Sequence, residues 1–222
     1  TCTYAPLPRL RELYGQALAL PGAVGLHIAT RADCLPEPVL DLLSEINGRT
    51  HLVVELGLQT VHDETARRIG RGHDYAAFLR GYESLQSRGI RVCVHIINGL
   101  PGEDREMMLE TARELARLHA FSVKIHLLHI MRGTRLADWY AAGEFSEMSL
   151  EDYASTVVSQ LELLPPDTVI GRVTGDGAAD GLVAPLWSRK KFVVMNEIDK
   201  ELVRRGSMQG SRYAVNGSPH GV

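Results

Sequence analysis

The sequence predicts an α/β fold, a parallel β/α barrel that stays open, and three observations lead there. Apolar segments of strand length alternate with amphipathic stretches of helical period, which is the grammar of βαβ units. The strand segments are almost uniformly apolar, as expected where helices cover the faces of a parallel sheet. Polar clusters stand where these segments run out: Glu55-Leu-Gly-Leu-Gln59, then Arg71-Gly-His73, then His95-Ile-Ile-Asn-Gly-Leu-Pro-Gly-Glu103. Strand ends of this kind are where parallel barrels build their sites.

The chain enters an amphipathic helix over 7–20, with Leu10, Leu13, Tyr14, Ala17 and Leu18 on one stripe. A strand over 25–30, a helix over 36–46 with proline at its start, and a strand over 52–58 follow. A short helix at 64–69 and a longer one at 75–87 lead through the stop signal Arg88-Gly89 into a strand over 92–97. The helix over 106–118 has Met107, Leu109, Leu115 and Leu118 among its apolar positions, and a strand over 123–130 comes next. Helices over 136–142 and 150–164 bring the chain to a last strand at 169–174. About five strands are too few for a closed eight-stranded barrel, so the barrel is open or lacks its beginning. The expected division is a barrel portion over 1–176 and a C-terminal extension over 177–222. That extension holds one helix, over 192–205, and a Gly/Ser-rich end expected to fray.

With 222 residues, 45% hydrophobic and 23% charged, the chain can bury one sizeable core, and one domain is the default. Lys and Arg number 24 against 27 Asp and Glu, and the net charge of -3 gives no global attraction to nucleic acid. Arg189-Lys-Lys191 and Arg204-Arg205 could touch RNA locally, although charged helix ends are the commoner explanation. No apolar run approaches the ~18 residues of a membrane span and the first residues lack a signal-peptide pattern, so a cytoplasmic setting without membrane is expected. Cys2, Cys34 and Cys93 are too few and too scattered for a disulfide framework or a metal-binding cluster.

Glu55 is the strongest single candidate, because a carboxylate on an apolar strand is costly unless paired. Gln59, four residues on at the strand end, is evenly balanced between a ligand contact and a turn residue. Arg71 offers a fork for a carboxylate or phosphate, yet a surface arginine beside the helix cap Asp74 is the commoner case. His95 and His27 lie inside strands, where a satisfied core histidine is more frequent than a ligand. The segment Gly99-Leu-Pro-Gly-Glu103 would let a flat ring approach the backbone. His126 and His129, of opposite parity in one strand, should face opposite sides of the sheet and share no metal. Thr174-Gly-Asp176, and the Arg31 and Asp33 pair, belong to the same rim, with an ordinary turn and a loop ion pair as their plain readings.

Together these segments carry a resemblance. Glu55-Leu-Gly-Leu-Gln59-Thr, Arg71-Gly-His-Asp-Tyr, Val94-His-Ile-Ile-Asn-Gly-Leu-Pro-Gly-Glu103, Lys124-Ile-His-Leu-Leu-His129 and Thr174-Gly-Asp176 closely resemble a group of bacterial radical S-adenosylmethionine (radical SAM) proteins. That group is similar to the radical domain of the Elongator tRNA-modifying subunit. The likeness runs from about Tyr4 to Tyr213 and includes Ala184-Pro-Leu-Trp-Ser188. It implies an open (β/α)6 barrel in which a 4Fe-4S cluster, held by three closely spaced cysteines, binds S-adenosyl-L-methionine. An electron from an external donor would cleave this cofactor to methionine and a 5′-deoxyadenosyl radical that takes hydrogen from the substrate. Residue by residue, Gln59 and Arg71 match positions that contact the ribose and methionine portions of the cofactor. Glu55 lies on the same strand, His95 stands where relatives hold a ribose-contacting residue, and the backbone at Ile97, Asn98 and Gly99 would flank the adenine. The resemblance also makes tRNA a substrate class.

One departure bears on activity. No cysteine triplet of the family's spacing occurs in these residues, and the glycine-rich strand that meets the cofactor's amino group is missing. The reading is therefore of a C-terminal portion of a radical enzyme, inactive by itself, whose N-terminal βα units precede it. The alternative is a non-catalytic barrel that binds a nucleotide-like ligand or a partner protein.

Overall fold

The computed structural model describes residues 2–175 and 180–214. The elements run α1 (Leu7–Leu18), β1 (Gly25–Thr30), α2 (Glu37–Asn47), β2 (His51–Gln59), α3 (Asp63–Arg68), α4 (Tyr75–Gln86), β3 (Arg91–Asn98) and α5 (Arg105–Arg117). They continue with β4 (Ser122–Leu127), β5 (Ile130–Met131), α6 (Arg135–Ala141), α7 (Leu150–Leu163), β6 (Val169–Arg172), β7 (Leu182–Ala184) and α8 (Lys191–Arg205). Five strands form one sheet in the order β1-β2-β3-β4-β6, with β1 parallel to β2 and β2 parallel to β3. Every strand of this sheet was expected; the small antiparallel pair β5 and β7 was not, because two or three residues leave no periodicity to read.

Several helix starts follow their sequence signals. Asp74, Asp104 and Thr134 each accept a hydrogen bond from the backbone three residues on, at 2.8, 3.0 and 3.3 Å, and so open α4, α5 and α6. Gly89 ends the chain's exit from α4 with φ 65°, the conformation that a glycine stop supplies.

The expectation of uniformly covered strands needs correction. The first halves of β2 and β3 are buried on both faces, with Val53 and Cys93 as closed in as their neighbours. Further on the pattern alternates: Leu56, Leu58, Val94 and Ile96 are buried, whereas Glu55, Gly57, Gln59, His95 and Ile97 are half-exposed. The cause is the two-residue period of a strand, which gives one face to the hydrophobic core and leaves the other for polar groups.

The chain forms two compact units. One comprises the residues through Ile96 with Phe121–Lys124, and the other comprises Ile97–Ala120 with the residues from Ile125 onward. In the first, α1 and α2 pack against β1 and β2. In the second, α7 packs against both α5 and α8. Arg205 is central there and is not a free helix-end cation: it donates to Glu201 at 2.6 Å, to the Ser159 hydroxyl at 2.8 Å and to the Ser155 carbonyl at 3.0 Å. Among the described residues, no helix is long and apolar enough to cross a membrane. The Gly/Ser-rich end over 215–222 and Asp176 lie outside the described residues.

Candidate functional site

Strand β2 positions the site. Between Gly57 and Gln59 its register with β3 slips, and Gln59 takes φ 75°. A left-handed residue with a side chain costs about 1–2 kcal/mol, and bulges at strand ends re-aim side chains. Here the amide swings back over Gly57. A Cβ at Gly57 would stand 2.7 Å from Gln59 Nε2 and 2.9 Å from Arg71 Nη2, so glycine lets both side-chain ends close over this point where a larger residue would push them aside. Arg71 reaches this point from the loop after α3, held between the left-handed Gly70 and Gly72, and donates through Nη2 to the Gly57 carbonyl.

The guanidinium of Arg71 is not the surface group its sequence context favoured. Its Nε is buried, with no hydrogen-bond partner among the described residues. Burial, and then the charge of Arg31, pull the group below its usual pKa, although an arginine remains a cation. A buried donor without an acceptor costs about 1–3 kcal/mol, and a polar ligand would recover it. Arg31 leans on Gly72 and is paired with Asp33 through Nε at 2.9 Å, the loop ion pair expected from their spacing.

Deeper along β2, Glu55 gathers three strands around one carboxylate. Lys124 of β4 donates to its Oε1 at 2.7 Å and His27 of β1 contacts the same oxygen at 3.1 Å. His95 of β3 stands 3.0 Å from Oε2. His95 and His27 are therefore bound into a polar cluster and are not isolated core histidines. Burial opposes the charge on Glu55, but hydrogen bonds from Lys124 and His27 and the charges of Lys124 and His95 hold its pKa down to about 2. A depressed carboxyl contributes stability above its unfolded value, near 4.5, and loses that contribution as pH falls toward about 2. The stability gap between the parent and Glu55→Gln is expected to narrow between about pH 5 and about pH 2 in urea unfolding. A gap that stays constant would show that Glu55 is not held in this way.

The other candidates lie in the second unit. Asn98 is buried and exchanges two 2.8 Å hydrogen bonds with Gln160, so its side chain is committed to α7. Its carbonyl accepts from Leu128 N–H at 2.9 Å. Gly99, with φ 83°, donates its N–H to Met108 Sδ at 3.3 Å and has Met148 packed where a Cβ would go. Ile97, the last half-exposed residue of β3, leads into this turn. The parity argument for His126 and His129 fails because β4 ends at Leu127. Beyond it the chain turns, and both rings come to Gly175, whose Cβ would lie 3.6 Å from His126 Nδ1 and 3.3 Å from His129 Cε1.

Lys124 and His27 belong to the site but were not read as functional. The available signal was a single cation on one apolar strand and a single carboxylate on another; pairing them required the strand order. The structure thus brings Glu55 together with His95, and Gln59 with Arg71 across Gly57. Ile97, Asn98 and Gly99 belong to the second unit, where Asn98 joins an amide pair and Gly99 is flanked by methionines.

Fold and strand ends together define an α/β protein of the open parallel β/α-barrel class. Residues 3–115 match the Radical SAM superfamily and residues 121–204 match the Radical SAM C-terminal domain. The chain belongs to the radical SAM superfamily. It is 50% identical over 213 residues to YtqA of Bacillus subtilis, covering 96% of this chain and 66% of that protein. It is 30% identical over 162 residues to Elongator complex protein 3 of Homo sapiens, covering 71% of this chain and 29% of that protein. The solved structure of archaeal Methanocaldococcus infernus Elp3 with an N-terminal deletion aligns with a TM-score of 0.71 at 22% identity, over 84% of this chain and 43% of that one, and so supports the fold. The chain spans about two thirds of the length of YtqA.

The two groups that the family implies meet different residues. Arg71, with its unfilled buried donor, and the Gln59 amide beside it suit the carboxylate and hydroxyl groups of S-adenosylmethionine. An iron–sulfur cluster does not fit: Cys2 is exposed, Cys34 is half-buried, and Cys93 is sealed inside β3. Among the described residues, no three His, Cys, Asp or Glu side chains are grouped to hold a metal.

Proposed function

We propose that this chain forms the S-adenosylmethionine-binding strand ends of a radical enzyme. The observation that carries the reading is the Gly57 position, where the left-handed Gln59 and Arg71, whose buried Nε lacks an acceptor among the described residues, close over a residue without a side chain. Arg71 would receive a carboxylate through its Nε–H, and Gln59 would hydrogen-bond a hydroxyl. His95, oriented by Glu55, would meet a second polar group. Cluster ligands would come from a cysteine loop that these 222 residues do not contain. The whole protein is then an enzyme that cleaves S-adenosylmethionine with an electron from an external donor, in the cytoplasm, with tRNA as the substrate class that the Elongator likeness favours.

Calorimetric titration with S-adenosylmethionine tests the binding half of this reading. Gln59→Ala and Arg71→Ala are each expected to weaken binding by about 1–3 kcal/mol, roughly 5- to 150-fold, with the fold retained. Unchanged affinity in both variants would remove them from the site. Iron content separates the enzyme from a cluster-free ligand binder: about four irons per chain after anaerobic purification of the protein with its cysteine loop support the enzyme. A colourless, iron-free product of that same protein supports the binder.

A further inference from the structure

Helix α5 ends on an unusual residue. His119 closes it with φ 47°, while Ala120 N–H reaches back to the Leu115 carbonyl at 3.2 Å. A left-handed residue at this place is ordinarily glycine, because a side chain there carries a steric cost. The imidazole is nevertheless present, and it meets Tyr213: Nε2 lies 3.1 Å from the phenol oxygen, with the rings edge to face at 5.9 Å.

These two rings line a cavity of about 340 Å³, whose other walls include Arg113, Arg117, Arg212 and Leu163. Each guanidinium has a carboxylate neighbour. Arg113 donates to Glu106 at 2.6 Å, Arg117 forks onto Glu114 at 2.6 and 2.8 Å, and Arg212 stands 3.5 Å from Glu162. Glu162 also stands 3.5 Å from Arg205, so Arg212 has only a share of a long contact. All three arginines are well exposed; the Arg113–Glu106 pair is exposed on both sides and therefore weak, and Arg212 meets the buried Glu162 at a long 3.5 Å. A phosphate can share these guanidinium groups, because its oxygens accept from several forks at once.

We propose that this cavity binds a phosphate monoester. Arg212 takes the phosphate, Arg113 and Arg117 complete the charge around it, and the organic portion rests against Tyr213 and Leu163. The site lies wholly in the second compact unit and uses none of the residues assigned to S-adenosylmethionine.

Calorimetric titration of the purified protein with inorganic phosphate and with adenosine monophosphate, at constant ionic strength, is the test. One saturable site is expected, weakened about tenfold by Arg212→Ala and by Arg113→Ala. His119→Gly trades the left-handed strain for the lost Tyr213 contact, so its melting temperature should stay within a few degrees of the parent while binding of adenosine monophosphate weakens through the released Tyr213 ring. Arg71→Ala should leave phosphate binding unchanged. Absence of saturable binding by either probe, equal affinity in the three cavity variants, or loss of binding in Arg71→Ala would each overturn the proposal.

Discussion

Replacing Val94 by aspartate is expected to unfold the protein. Val94 is fully buried in β3, and its register partner across the sheet is Leu56, equally buried. Strand alternation gives this face Val92 and Ile96 as further neighbours and sends His95 to the other side, with the polar cluster. A carboxylate here would be desolvated without a cation and could escape only by staying protonated or by opening the sheet. The cost, about 4 kcal/mol or more, is a large part of the 5–15 kcal/mol that holds a typical domain together. Thermal unfolding followed by circular dichroism checks this. A melting temperature within about 5 °C of the parent would mean that residue 94 does not point into the core.

Arg205→Ala is expected to be nearly as damaging, by a different route. Glu162 and Glu201 are both buried in the second unit, and Arg205 meets both while also tying down Ser155 and Ser159. Among the described residues, truncating the arginine leaves the Glu162 carboxylate with the 3.5 Å contact to Arg212, while Glu201 keeps Arg204, and removal of one partner from a buried pair typically costs about 3–5 kcal/mol. Arg205→Lys keeps the charge but not the fork, so it should recover part of the loss. Urea unfolding of the two variants tests the ranking. If alanine costs under about 1 kcal/mol, the α7 and α8 contact does not depend on this network.

What was readable in the sequence follows from the range over which each signal acts. The five sheet strands and the longer helices were readable because periodicity and caps such as Asp74 are local, and their ends differ from expectation by only a residue or two in most cases. Glu55 stood out because a lone carboxylate on an apolar strand demands a partner. Which partner was hidden, since Lys124 lies 69 positions away and comes near only once β2, β3 and β4 are ordered. The left-handed turn of Gln59 was equally hidden: a bulge is a relation between two strands, and Gln is not a residue that announces positive φ. His126 and His129 went astray because parity holds only while a strand lasts, and β4 stops two residues before His129.

The carboxylate of Glu55 also constrains how relatives of this chain can differ from it. Three cationic or proton-donating side chains from three other strands converge on two oxygens, so the four positions form one electrostatic unit. A neutral residue at 55 alone would strand Lys124 in a half-buried setting, and a neutral residue at 124 alone would leave the carboxylate to the histidines. Effects at such positions do not add. Substitutions tolerated here should therefore arrive in sets, and a library that randomises 27, 55, 95 and 124 together should yield functional combinations whose single-step intermediates fail.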